Sequence, residues 1–216
     1  MASLRVYWWA IWVMLTLSAT IMSVVSARFL LPDPPAIGPD IMVNLSASKP
    51  VFLSHVFGGL TALLLGPWQF VGEIRNRWPR LHRWIGRSYV LAVAVSGACG
   101  FWVAWSTASG IIAALGFAAM AQIWLYVTWR GYLSARSGQF DQHRQWMVRS
   151  FAVTMAAISL RLGLCLVPVL GLRELPVYIF MSWACWIINL LLAECYLRSR
   201  KGRRAYVLKA KRMTAR

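Results

Sequence analysis

Acidic residues are nearly missing from this chain. Only 6 Asp and Glu stand against 23 Lys and Arg in 216 residues, for a formal net charge of +17. No two carboxylates are placed for general acid–base work, no nucleophile stands beside a base, and no glycine-rich loop is built to cradle phosphates. Charge of either sign is scarce as well, 13% of residues against the roughly 25% of a soluble domain. That scarcity excludes an ordinary water-soluble globule. Cysteine is low, and Cys99, Cys165, Cys185 and Cys195 all lie inside apolar runs without the spacing of a metal knuckle or a redox pair; they read as small buried hydrophobes.

What fills the chain is apolar, 59% of it. Six runs of about 20 residues, each long enough at about 1.5 Å per residue to cross a bilayer, fall near 6–27, 51–71, 87–107, 110–129, 147–170 and 176–197. Helices alone suit such runs, because a lone strand leaves its backbone polar groups unpaired in lipid. The expected fold is therefore all-α, a polytopic membrane helix bundle of six transmembrane helices. No length remains for an extramembrane catalytic domain. The expected organisation is an N-terminal anchor with a Pro-rich loop over 1–50, a five-helix membrane core over 51–197 and a basic tail over 198–216. Val25-Ser26-Ala27 resembles a signal-peptidase site, yet the run before it is too long for a signal h-region, so an uncleaved anchor is expected. Pro32, Pro34, Pro35, Pro39 and Pro50 cannot continue a helix and predict an ordered or extended loop between the first two spans.

Sorting the basic residues by side gives an orientation. Arg5, the five arginines from Arg75 to Arg87, the four from Arg130 to Arg149 and the nine Lys and Arg from Arg198 to Arg216 share one side; Arg28, Lys49 and Arg173 hold the other, and Arg161 lies within a span. The positive-inside rule then puts both termini in the cytoplasm of an inner-membrane protein. Tyr7, Trp8, Trp9, Trp12, Trp78, Trp84, Trp129 and Trp146 fall near the inner boundary as interfacial anchors. The tail is expected to contact anionic lipid headgroups. Nucleic acid is not an expected partner, since no aromatic stacking platform accompanies the charge.

The polar residues inside or beside the spans are the candidates for function. His55 lies four residues inside the second span, above a stripe of small residues, Gly59, Ala62 and Gly66. Two readings stand, a close helix neighbour or a flat ligand. His82-Arg83-Trp84-Ile85-Gly86-Arg87-Ser88-Tyr89 and His143-Arg144-Gln145-Trp146-Met147-Val148-Arg149-Ser150-Phe151 repeat a pattern, suggesting a parallel repeat of helices 2–3 and 4–5. Arg161 is mid-span and should face the interior with a partner, near the depth of His55. Helical periodicity aligns it with His143, Ser150 and Thr154, whose hydroxyls are expected to bond back to their own helix carbonyls. Glu194 should meet His82, His143 or Arg149, and Asn189 either hydrogen-bonds across helices or binds a substrate.

Two layers result: an inner one of His82, Arg83, Arg87, His143, Arg144, Arg149 and Glu194, and an outer one of His55 and Arg161. Facing imidazoles can ligate b-type haem iron while guanidiniums pair with its propionates. Two bis-His haems need four histidines and the chain has three, so at most one such haem fits, unless a Met near the outer face such as Met181 completes the outer site.

His55…Gly58-Gly59…Leu65-Gly66-Pro67-Trp68-Gln69-Phe70, His82-Arg83…Gly86-Arg87…Tyr89, His143-Arg144…Trp146-Met147…Arg149-Ser150…Arg161 and Trp183…Trp186…Asn189…Glu194 together resemble the domain of unknown function 2306 family. The likeness covers roughly 51–197. It implies a multi-pass bacterial membrane protein and the same choice of polar residues, and it supplies no reaction. A four-helix haem core of the cytochrome b561 type is a weaker likeness, lacking the fourth His. The functions expected are a haem- or quinone-linked membrane redox component, a non-catalytic assembly or stability factor for another membrane complex, or a small-substrate transporter.

The split of basic residues generates the first prediction. A reporter fused after Arg204 will lie in the cytoplasm and one fused near Pro39 outside it; the opposite pattern overturns both the orientation and the sidedness of the two layers.

Overall fold

The computed structural model describes the backbone of residues 2–31 and 39–214. Every regular element in it is helical: α1 (Ala2–Ala27), α2 (Pro39–Leu65), α3 (Gly72–Arg77), α4 (Pro79–Ala104), α5 (Ile111–Arg136), α6 (Phe140–Thr154), α7 (Ala156–Val169) and α8 (Glu174–Thr214), with short 3-10 turns at Arg28–Leu30 and Pro67–Phe70. Six stretches are long and apolar enough to cross a membrane: Val6–Leu30, Ser46–Phe70, Pro79–Ala104, Ile111–Arg136, Phe140–Val169 and Glu174–Arg200. The burial pattern fits that reading, with Phe57, Leu91, Leu162 and Leu192 on the outside of the bundle and Ser96, Ser150 and Ser182 fully inside. In lipid the outer face needs no polar cover, so the polar groups collect in the core.

The expected loop before the second span is partly helix. α2 starts at Pro39 and is broken at Ser48, whose backbone is extended (φ −164°, ψ 87°), before resuming through Pro50. Proline is tolerated in a helix's first turn, where its missing N–H has no partner to lose, and Pro39 and Pro50 both stand at such starts. Pro32, Pro34 and Pro35 lie outside the described residues. The fifth span is also not one helix: it breaks at Met155, between α6 and α7. The Thr154 hydroxyl donates to Ser150 O at 3.0 Å just before the break, the back-bonding known to bend helices. Beyond the sixth span, α8 continues as helix to Thr214.

Glycine sets the helix spacing. A Cβ on Gly58 would sit 2.8 Å from Ala92 O and from Ser96 Cβ, so α2 lies directly on α4; Gly97 faces Leu125 of α5 in the same way, Gly116 faces Ser182 of α8, and Gly131 faces Met147 of α6. The stripe under His55 is used likewise. A Cβ on Gly66 would collide with the Phe151 ring at 2.4 Å, and Ala62 is wholly buried. Of the two readings of that stripe, close helix packing is the one built.

Midway through the bundle, α4, α5 and α6 share a closed hydroxyl network. Tyr89 Oη lies 2.8 Å from both Ser150 Oγ and Thr154 Oγ1, Trp124 Nε1 donates to Thr154 Oγ1 at 3.0 Å, and Thr128 Oγ1 lies 2.6 Å from Ser150 Oγ. Ser150 and Thr154 were expected to satisfy only their own helix. Thr154 does so, but both hydroxyls also reach across to Tyr89, because α4 approaches closely enough to bring a phenol between them. Tyr89→Phe should therefore lower stability by about 0.5–1.7 kcal/mol, the range of interhelical hydrogen bonds in membranes, measured by unfolding in mixed micelles; an unchanged midpoint refutes the network's structural role.

Candidate functional site

At the basic end of the bundle, His82 near the start of α4 lies within electrostatic reach of His143 near the start of α6 and of Arg75 on α3. The first turns of these helices place them. Pro79 opens α4, and the His143 amide donates to Gln139 O at 2.9 Å in the first turn of α6. Seven residues on from each histidine, two helical turns higher, come Tyr89 and Ser150, the pair joined at 2.8 Å. Equal steps up two helices thus lead from one facing pair to the next. Periodicity from His143 indicates Ser150; the same step from His82 would have indicated Tyr89, a residue the sequence reading quoted without assigning it a role.

The His143 imidazole is held in one tautomer. Its Nδ1 lies 2.8 Å from Gly131 O; a carbonyl only accepts, so Nδ1 carries a proton and donates it there. This is the arrangement that protein carbonyls impose on metal-ligating histidines. His82 differs. Its Nδ1 is buried with no partner among the described residues, and so is Nε2 of Gln69 in the turn after α2. Gln69 lies over Gly86, where a Cβ would stand 3.1 Å from its Oε1, one helical turn along α4 from His82. A buried polar nitrogen left unpaired costs about 1–3 kcal/mol, and among the described residues two such nitrogens lie within about a helical turn of each other beside His82. Gln69 was outside the sequence-derived site; only the folding of the Pro67–Phe70 turn against Gly86 brings it in.

The inner guanidiniums divide by role. Arg149 donates through Nε and Nη2 to both oxygens of Glu194, the second bond at 3.2 Å, while lying 4.7 Å from the Trp146 ring centroid. Arg130 approaches the same ring at 5.0 Å. Glu194 therefore meets Arg149, of the three partners expected for it, and this pair ties α6 to α8. Arg87 lies 5.9 Å from the Trp84 ring centroid, so each His-Arg element carries a Trp–Arg contact three residues apart. Arg83 and Arg87 are exposed. Arg144 lies within electrostatic reach of Arg200, Tyr196 and Arg75. Trp12 is more than an interfacial anchor, since its Nε1 donates to Pro67 O at 3.0 Å and fastens α1 to the turn carrying Gln69.

At the opposite end, His55 Nδ1 donates to Ser96 O at 2.8 Å while Ser96 Oγ donates to His55 O at 2.7 Å. The imidazole occupies the space left by Gly100, where a Cβ would sit 2.7 Å from Nδ1. Arg161 lies within electrostatic reach of His55, Tyr178 and Arg28. It donates to Ala157 O of its own helix at 2.9 Å. Met181 is packed over Gly163. Asn189 acts across helices, donating to Ala152 O at 3.1 Å and accepting from Ser159 Oγ at 3.0 Å, and so caps a carbonyl at the Met155 break. The cysteines are not uniformly buried as expected: Cys185 is, Cys99 is half-buried, and Cys165 and Cys195 lie on the lipid-facing exterior, where an apolar thiol is equally at home.

Among the described residues, no three His, Cys, Asp or Glu side chains gather as a metal site; axial ligation of haem asks for two. A family model described as "Predicted membrane protein (DUF2306)" matches residues 52–197. No curated protein and no solved structure matches the chain.

Arg161 and Arg173 provide a paired prediction. An intramembrane guanidinium is retained against an insertion cost of about 2.5–3.5 kcal/mol, so Arg161→Leu should impair assembly or activity while Arg173→Leu in the outer loop does little. Wild-type yield, melting temperature and activity for Arg161→Leu would remove the outer layer as a functional site.

Proposed function

The chain belongs to the DUF2306 family of membrane proteins, and on that footing we propose that it is an inner-membrane redox component, with both termini in the cytoplasm and its functional centre at His82 and His143. The observation that carries this reading is the pair of buried nitrogens unpartnered among the described residues, His82 Nδ1 and Gln69 Nε2, near an imidazole fixed through its Nδ1 by Gly131 O. A quinone carbonyl accepts from two such nitrogens, and a b-type haem takes two imidazole ligands. The residues present fit either group. His82 and His143 would hold it, the exposed Arg83 and Arg87 would offer charge to its propionates, and Arg149, already bound to Glu194, would fix α6 in place. The bound group would supply reversible electron transfer; His82 would hold a proton at Nδ1 and Gln69 would orient an acceptor oxygen.

Location supports the reading. The histidine layer lies at the basic end of the spans, within reach of a lipid-soluble carrier, and His55 is a full span's depth away on α2, so a single centre of this kind suits the three histidines. The transporter reading draws on broken helices, and the break at Met155 has its free carbonyl already taken by Asn189. The assembly-factor reading has no residue to argue from.

A reduced-minus-oxidised absorption spectrum of the purified protein, with and without added short-chain quinone, tests the proposal. A Soret and α band abolished by His82→Ala and by His143→Ala supports haem. A quinone-dependent shift in melting temperature lost in Gln69→Leu and His82→Ala supports quinone. Neither signal from cofactor-replete membranes, with the variants folded, refutes the redox reading.

A further inference from the structure

Beside the histidine layer, α1, the α3 segment and the start of α6 line a shallow, open cleft of about 390 Å3. Trp8, Trp9 and Phe70 form its apolar wall, Arg75 and Arg144 its basic wall, and Glu73 its one carboxylate. The charges around Arg144 are not balanced. Arg75 and Arg200 both act on it electrostatically as like charges. Arg200 Nη1 donates to Tyr196 Oη at 3.1 Å with its guanidinium 5.7 Å from that ring, and Arg144 is within hydrogen-bond reach of the same phenol. Arg144 and Arg200 share one phenol oxygen with Arg75 near, and an anion between these exposed guanidiniums would lower what repulsion solvent and salt leave unscreened. Glu73 offsets only one, and Glu194 is held by Arg149.

We propose that this cleft binds the phosphate of an anionic phospholipid headgroup. Guanidiniums recognise phosphate oxygens bidentately. The site stands at the basic end of the spans, where basic pockets between transmembrane helices take headgroups, and the indoles of Trp8 and Trp9 give the glycerol and upper acyl region the amphipathic wall that aromatic side chains form at the membrane interface. The proposal places the lipid between α1 and α6, two helices from distant parts of the chain, and is independent of the redox reading. It also differs from simple attraction by the basic tail, since Arg75 lies on α3 and Arg144 near the start of α6.

The test measures the melting temperature of the full-length protein in neutral detergent with added cardiolipin, phosphatidylglycerol, phosphatidylcholine or inorganic phosphate. The two anionic lipids should raise it, with phosphatidylcholine and inorganic phosphate ineffective. At roughly fivefold per arginine, an Arg75→Gln, Arg144→Gln variant should need about 25-fold more anionic lipid for the same shift, while a full-length Lys209→Gln, Lys211→Gln, Arg212→Gln variant should match wild type. If the arginine pair does not fold, Arg75→Gln alone should show the fivefold weakening. An unchanged lipid response in the arginine variants, a response abolished in the tail variant, or an equal shift from phosphatidylcholine overturns the proposal; an equal shift from inorganic phosphate overturns its assignment to lipid.

Discussion

In a bilayer, apolar side chains gain nothing by leaving lipid for protein, so helices stay together only through close backbone approach and hydrogen bonds. The joint between α2 and α4 shows how this chain meets that constraint. Gly58 lies on the backbone of Ala92 and Ser96, and the reciprocal bonds between His55 and Ser96 close the same contact from its sides. Once α2 is seated there, the turn at Pro67–Phe70 is delivered against Gly86, and Gln69 arrives one turn from His82. The joint at His55 thus helps set where Gln69 stands relative to His82, through a single pair of packed helices.

The hydroxyl network between the two layers has a further property visible by counting protons. Tyr89, Trp124, Thr128, Ser150 and Thr154 bring five N–H and O–H protons to six contacts: the four between side chains, together with Thr128 to Trp124 O and Thr154 to Ser150 O. One contact is therefore always without its proton. The alternative patterns differ only in hydroxyl rotation, so the network holds three helices together without fixing the direction of every dipole in it.

The spans and their polar intruders were legible because lipid enforces a simple rule, and residues that break it, such as His55, Arg161 and Glu194, are conspicuous in an apolar run. Their partners were harder to see. Ser96 and Tyr89 are ordinary in a helix until a neighbour is brought against them, and Gln69 gains its meaning from a turn whose shape depends on Pro67 and Trp12 together. Proline was misread in the first loop because its usual message, that a helix cannot continue, is also the message that one can begin. The division of roles among the arginines was hidden for another reason: Arg144 and Arg149 lie five residues apart on one helix, and only the placement of Glu194 and Tyr196 on α8 decides which is neutralised and which is left charged.

The continuity of α8 alters what the basic tail can do. By helical rise the turns between Arg200 and Thr214 carry the chain about 20 Å past the end of the span, more than two screening lengths at physiological salt. A coil of the same length has no fixed direction, whereas a helix continues the line of the span it grows from. The backbone beyond Arg200 therefore takes its direction from the packing of the sixth span against α5, α6 and α7, and a change in that packing would swing the far end of the helix with it.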